Sequence, residues 1–142
     1  MTLQRIATLL FAALLAFAPP FGAQAQQAAK QKVIFQVSDA DPAKWNLALN
    51  NARNVQVELG KDNVQIEIVA YGPGLGMLKA DSKLDARLSQ ALRDNVGLIA
   101  CENTMDNTKT AKADMYSGIS YVTAGVTHLM KRQREGWAYI RP

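Results

Sequence analysis

Five short runs rich in β-branched, aromatic or aliphatic residues alternate with stretches whose apolar residues recur every three or four positions. That alternation restricts the chain to a layered α/β fold. The strand-like runs are Val33–Val37, Val64–Tyr71, Gly97–Cys101, Ser120–Thr123 and Trp137–Ile140. Strands separated by helical patterns of this length pair in parallel, with the helices packed on the sheet faces. The expected architecture is a three-layer α/β/α sandwich around a mainly parallel five-stranded sheet.

Local signals place the helices. Asp41 followed by Pro42 announces a helix start, with Asp as N-cap and Pro in the first turn. Trp45, Ala48, Ala52, Val55 and Leu59 then mark an apolar face, and Gly60 a stop. Ser82 and Asp85 have the spacing of a capping box, ahead of an apolar face formed by Leu84, Leu88, Ala91 and Leu92. Between Asn103 and Ser117 the pattern is weak; Met105, Thr108, Ala111 and Met115 would face inward on a helix. Thr123 is placed to cap a last helix with Val126, Leu129 and Met130 inward. Lys131, Arg132 and Arg134 would complement its negative end and stand as a solvated terminus.

The N-terminus has a separate meaning. Arg5 precedes an apolar run from Ile6 to Phe17, broken by Pro19, Pro20 and Gly22, and Ala23-Gln24-Ala25 offers small residues at a signal-peptidase site. The run is shorter than the roughly 20 residues that cross a bilayer. Residues 1–25 are expected to be a cleaved signal peptide, residues 26–32 a flexible lead-in, and residues 33–142 a single α/β domain. The mature protein would then be periplasmic or secreted, with no stable membrane insertion after cleavage before Gln26.

Charge excludes other classes. The net charge of +4 is mild, aromatic residues make up 7% of the chain, and the basic residues form no stripe with them. Nucleic acid is therefore not expected as a partner. Gly72, Gly74 and Gly76 form Gly-x-Gly-x-Gly after the second strand, which is not the dinucleotide fingerprint and reads as a tight turn. No phosphate-cradling Gly-x-x-x-x-Gly-Lys-Ser/Thr occurs. With His128 the one histidine and Cys101 the one cysteine, neither a metal site nor a cofactor is expected.

In open α/β sheets ligands bind beyond the carboxyl ends of the strands. The loops there contain Ser38 and Asp39, then Gly72, Pro73 and Gly74, then Cys101, Glu102, Asn103 and Thr104, and finally Thr123 and Gly125. Cys101 stands out, because a lone cysteine forms no internal disulfide. At a strand end before a helix start, backbone N–H groups would favour its thiolate, the nucleophile of sulfur transfer and disulfide exchange. Glu102 next door would raise the thiol pKa if it pointed inward. The other reading is a small buried core thiol. Asp39 is a candidate polar lip of the same edge, while Trp45 and Trp137 suit the core or a subunit interface.

Several segments resemble the DsrE/DsrF-like proteins. Val37-Ser38-Asp39 with Asp41-Pro42-Ala43-Lys44-Trp45 is similar to their first strand and helix, and Val69-Ala70-Tyr71-Gly72-Pro73-Gly74 to their second-strand ending. Ala100-Cys101-Glu102-Asn103-Thr104-Met105 resembles the Cys-x-Asn-Thr-Leu/Met segment of one exported, uncharacterised branch, and Gly136-Trp137-Ala138-Tyr139-Ile140 its last strand. The resemblance implies the same three-layer sandwich, homo-oligomers (trimers or hexamers), and a sulfur relay in which Cys101 carries a persulfide between a donor and an acceptor protein. Two functions remain open: that carrier, or a non-enzymatic oligomeric module for a small ligand or protein in which Cys101 is structural.

Overall fold

The computed structural model describes residues 30–142. The signal peptide assigned to residues 1–25 and lead-in residues 26–29 lie outside the described residues. The chain forms β1 (Gln31–Val37), α1 (Pro42–Leu59), β2 (Val64–Ala70), α2 (Asp85–Arg93), β3 (Val96–Cys101), α3 (Glu102–Asn107), β4 (Ser120–Val122), α4 (Gly125–Arg134) and β5 (Ala138–Ile140). A 3₁₀ run over Gly72–Leu78 follows β2. The first strand thus begins two residues before Val33, because Gln31 and Lys32 pair with Val64 and Gln65.

The sheet order is β4-β3-β2-β1-β5, and every pairing is parallel. From β1 to β4 each step goes the same way across the sheet. Right-handed crossovers therefore put those connections on one face. The step from β4 to β5 reverses direction, so α4 covers the opposite face. The two cores follow this division. Phe35, Ile66, Ile68 and Leu98 pack under α1 and α2 with Ala48, Ala52 and Leu88. Ile34, Val69 and Ile99 pack with Leu129 of α4 and with Trp137. Alternation along each strand explains the sorting. The result is the expected three-layer sandwich, with a fully parallel sheet.

The start of α1 is as the sequence implies. Asp41 is the N-cap, its Oδ1 accepting from Ala43 N at 2.8 Å, and Pro42 opens the first turn. The buried stripe is Ala48, Leu49, Ala52 and Gln56. Gln56 belongs to it because its amide donates to Asp94 O at 2.6 Å. Leu59 is exposed.

Three expectations fail for identifiable reasons. Ser82 does not cap α2: Leu84 occupies that position and is buried, and Ser82 Oγ is buried with no hydrogen-bond partner. Burial of the leucine at the helix entrance outweighs a hydroxyl cap. In place of one long helix over 103–117 there is a six-residue helix, Glu102–Asn107, and then irregular chain with a single 3₁₀ turn at Lys112–Asp114. The second half instead bonds to the segment before α2, through Ala80 N to Asp114 O at 2.9 Å and Tyr116 N to Leu78 O at 2.8 Å. Met105 and Met115 are buried, whereas Thr108 and Ala111 are exposed.

The third concerns α4. Its N-cap is Ala124 rather than Thr123, with no side-chain cap. Val126 and Met130 point outward, 54% and 53% exposed. The stripe facing the sheet is Gly125, His128, Leu129 and Arg132, because a buried carboxylate, Glu67 of β2, takes its partners there. An unpaired buried charge costs more than two exposed apolar side chains. Arg132 is therefore no solvated helix end. Among the described residues, no helix is long and apolar enough to cross a membrane.

Candidate functional site

Cys101 is the last residue of β3 and the N-cap of α3. By alternation with Ile99 it faces the α4 side of the sheet. The connection leaving β3 turns to one face, with α3, and the connection leaving the adjacent β4 turns to the other, with α4. Between two such strands the loops part to opposite faces. Cys101 sits at that parting, between the N-termini of two helices in different layers.

Helix starts bring backbone N–H groups that have no partner within the helix. Cys101 is 5% exposed. Burial pushes the thiol pKa up, but the Thr104 hydroxyl and the N–H groups of Gly125, Thr104 and Asn103 outweigh it. The thiol titrates below its ordinary 9.0. A hydrogen bond to a charged group contributes about 1.5–3 kcal/mol, so several around one sulfur offset the cost of burying its charge. In the protonated form the thiol contacts Thr123 O at 3.8 Å. Asn103 N donates to that same carbonyl at 3.0 Å, which ties α3 to the end of β4.

The Gly72 loop enters through one bond: Gly72 N donates to Thr104 Oγ1 at 2.9 Å. Gly74 holds the loop against β1. A Cβ there would stand 2.3 Å from Val37 O, so no other residue fits without moving backbone. Its N–H goes to Tyr71 O at 3.1 Å, and Pro73 is exposed with no N–H to give. Of Gly72, Pro73 and Gly74, only Gly72 is bonded to a partner of the sulfur.

Ser38 and Asp39 lie farther along the same edge, at the end of β1. Ser38 Oγ accepts from Gln36 Nε2 at 3.1 Å. Asp39 pairs with Lys44 at 3.0 Å and with Arg141 at 3.5 Å. The Lys44 hydrogen bond is the main cause that lowers its pKa, assisted by Arg141 against burial. Tyr71, at the end of β2, lies between this charged group and the thiol. Burial raises its phenol pKa, with Tyr139, Asp39 and Cys101 acting in the same direction. Its ring packs on α4, 3.1 Å from where a Cβ on Gly125 would be.

Glu102 does not oppose the thiolate. Its carboxylate pairs with Lys112 at 3.0 Å and is turned away. Among the described residues, no three His, Cys, Asp or Glu side chains converge on a point that could hold a metal ion. The sequence reading missed Tyr71 and Arg141 as parts of this edge. It also missed Glu67, whose signal was visible: a charge in mid-strand between apolar neighbours needs a buried partner.

The chain matches no protein-family model, and no curated protein matches it. Solved structures do match. A protein of unknown function from Methanobacterium thermoautotrophicum, MTH1491, superposes with a TM-score of 0.76 at 35% identity, over 80% of this chain and 100% of that one. A conserved protein of unknown function from Bacteroides thetaiotaomicron, BT1422, gives 0.60 at 15% identity, over 79% and 95%. The ychN protein of E. coli gives 0.61 at 12% identity, over 79% and 99%. The last two share the fold. At 35% identity over the full length of the first, the chain belongs to the family of the Methanobacterium thermoautotrophicum protein MTH1491.

Proposed function

We propose that the protein is a thiol carrier of sulfane sulfur, with Cys101 as the accepting group. The observation that supports this most is the place of Cys101 at the end of β3, as N-cap of α3 and 3.8 Å from Thr123 O just ahead of α4, where the hydroxyl and amides around it lower the thiol pKa. They favour a thiolate without any neighbouring base. The likeness of Cys101-Glu102-Asn103-Thr104-Met105 to the DsrE/DsrF-like segment supports the same reading.

The chemistry balances with no cofactor. The Cys101 thiolate attacks the outer sulfur of a polysulfide or persulfide donor. An S–S bond forms on Cys101, the donor's S–S bond breaks, and the donor leaves as a thiolate that takes up a proton. No net oxidation occurs. An acceptor thiolate reverses the step and removes the sulfur. The N–H groups and the Thr104 hydroxyl that steady the thiolate also steady the persulfide anion.

Export and self-assembly belong to the proposal. Export rests on the Arg5-to-Ala25 segment, and a trimer or hexamer on the resemblance. The intact mass of protein purified from its native compartment tests export and loading together. A mass starting at Gln26, with a sulfur adduct on Cys101, is expected. A full-length mass removes the export part, and a bare thiol from cells rich in sulfane sulfur speaks against the carrier.

A second reading has an observation of its own, the 5% exposure of Cys101. In it the protein is a non-enzymatic oligomeric module, with a structural thiol and a small ligand or protein held at the strand-end edge near Ser38, Asp39 and Gly72. It expects Cys101→Ser to leave folding, assembly and biological role unchanged. A phenotype from that substitution in a folded protein removes it.

A further inference from the structure

Glu67 lies in the middle of β2, 9% exposed, on the face that α4 covers. A carboxylate there is costly unless paired. All its partners come from one helix. His128 Nε2 is 2.8 Å from Oε2, Arg132 Nε donates to the same oxygen at 3.0 Å, and Arg132 Nη2 donates to Oε1. His128 and Arg132 are four residues apart and share one stripe of α4. Gly97 on the adjacent strand leaves room for the carboxylate; a Cβ there would be 3.3 Å from Glu67 Cγ. Arg132 is fixed further by Glu135 at 2.8 Å and by the Trp137 ring at 4.7 Å. The helix is thus fastened to the sheet at two successive turns.

The first of these turns also serves the thiol. His128 N donates to Ala124 O at 3.1 Å. That bond closes the first turn of α4, which starts two residues after Thr123, whose carbonyl the Cys101 thiol contacts at 3.8 Å. No N-cap side chain holds the start of α4, which leaves its seat on the sheet to packing against Tyr71 and to the Glu67 pairs. Hydrogen bonds weaken steeply with distance and angle. A small slide or tilt of α4 would shift its first turn relative to the sulfur.

We propose that Glu67 is a positioning residue for the thiol. Through His128 and Arg132 it sets α4 on the sheet so that the first turn of that helix stays against Cys101. This rests on the carrier reading for its purpose, but its test uses no sulfur transfer.

The experiment follows the titration of the Cys101 Cβ resonance by NMR in the full folded domain. Glu67→Gln keeps the side-chain shape and removes the charge. The thiol pKa is expected to rise, with about a tenfold loss of thiolate at neutral pH, as for one lost hydrogen bond to a charged sulfur. Asp94→Asn, which weakens a contact with Lys61 just before the start of β3, at the end away from Cys101, is expected to leave the titration in place. Should Glu67→Gln not fold, His128→Gln carries the same expectation. An unmoved titration in either folded variant, or an equal shift in Asp94→Asn, overturns the proposal. A wild-type protein that never loads sulfur would sink the carrier reading while leaving this result intact.

Discussion

Thr104 Oγ1 accepts a hydrogen bond from the Gly72 amide at 2.9 Å, and the same hydroxyl is the first of the groups that hold the Cys101 thiol below its ordinary pKa. The two facts are connected. A hydroxyl has a single donor. With an oxygen lone pair engaged by Gly72, the proton is free to face the sulfur. The loop after β2 thereby sets the orientation of a donor to the thiolate at the end of β3.

Thr104→Val, nearly isosteric, removes that donor and leaves the Gly72 N–H unpaired. The thiol pKa should rise, and the thiolate fraction at neutral pH should fall about tenfold. Thr104→Ser should restore most of it. The pH profile of Cys101 alkylation checks both. If Val and Ser behave alike, the hydroxyl has no part in tuning the sulfur.

Gly125→Ala places a Cβ 3.1 Å from the Tyr71 ring. Overpacking of this kind costs about 1–3 kcal/mol. Because residue 125 and Tyr71 are in contact, their substitutions should not add. Gly125→Ala combined with Tyr71→Ala should cost less than the sum of the two single changes. Denaturant unfolding of the four proteins gives the coupling, and a coupling near zero would mean that the ring does not bear on the helix.

The thiol also predicts a pH dependence of stability. Folding lowers its pKa below the ordinary 9.0, so the folded state favours the thiolate. The contribution is complete above the unfolded value and is lost as pH falls through the lower folded value. The stability of the wild type relative to Cys101→Ser should therefore grow as pH rises toward about 9.0. Paired unfolding curves across that window check the sign. A difference that shrinks with rising pH would mean that burial prevails over the hydrogen bonds.

Asp41→Ala removes the cap that accepts from Ala43 N. It should cost about 0.5–2 kcal/mol, seen as a lower denaturation midpoint with an unchanged slope. The thiol titration should not move, since α1 contributes no donor to the sulfur.

What the sequence made legible is what depends on local rules. Asp41-Pro42 specified the start of α1, and the alternation in Val64–Tyr71 placed Ile66 and Ile68 on one face and Val69 on the other. The position of Cys101 at a strand end followed from the parallel topology. The residues that act on it were harder to see. Its donors are mostly backbone N–H groups, which leave no side-chain signature, and two come from helices in opposite layers. The orientation of α4 was misread because Val126 and Met130 suggested an apolar face, whereas a long-range pair with Glu67 turned the helix. Ser82 shows the same competition: burial of Leu84 prevailed over a capping pattern.

The central claim is that Cys101 accepts sulfane sulfur. The direct measurement is the intact mass of the folded protein after incubation with polysulfide, with Cys101→Ser alongside. Mass gains in steps of about 32 Da, one sulfur each, confined to the protein that has Cys101 and reversed by a thiol reductant, are the predicted result. No gain in the wild type, together with a native thiol that also resists a small alkylating probe, would contradict the claim and leave Cys101 a structural residue.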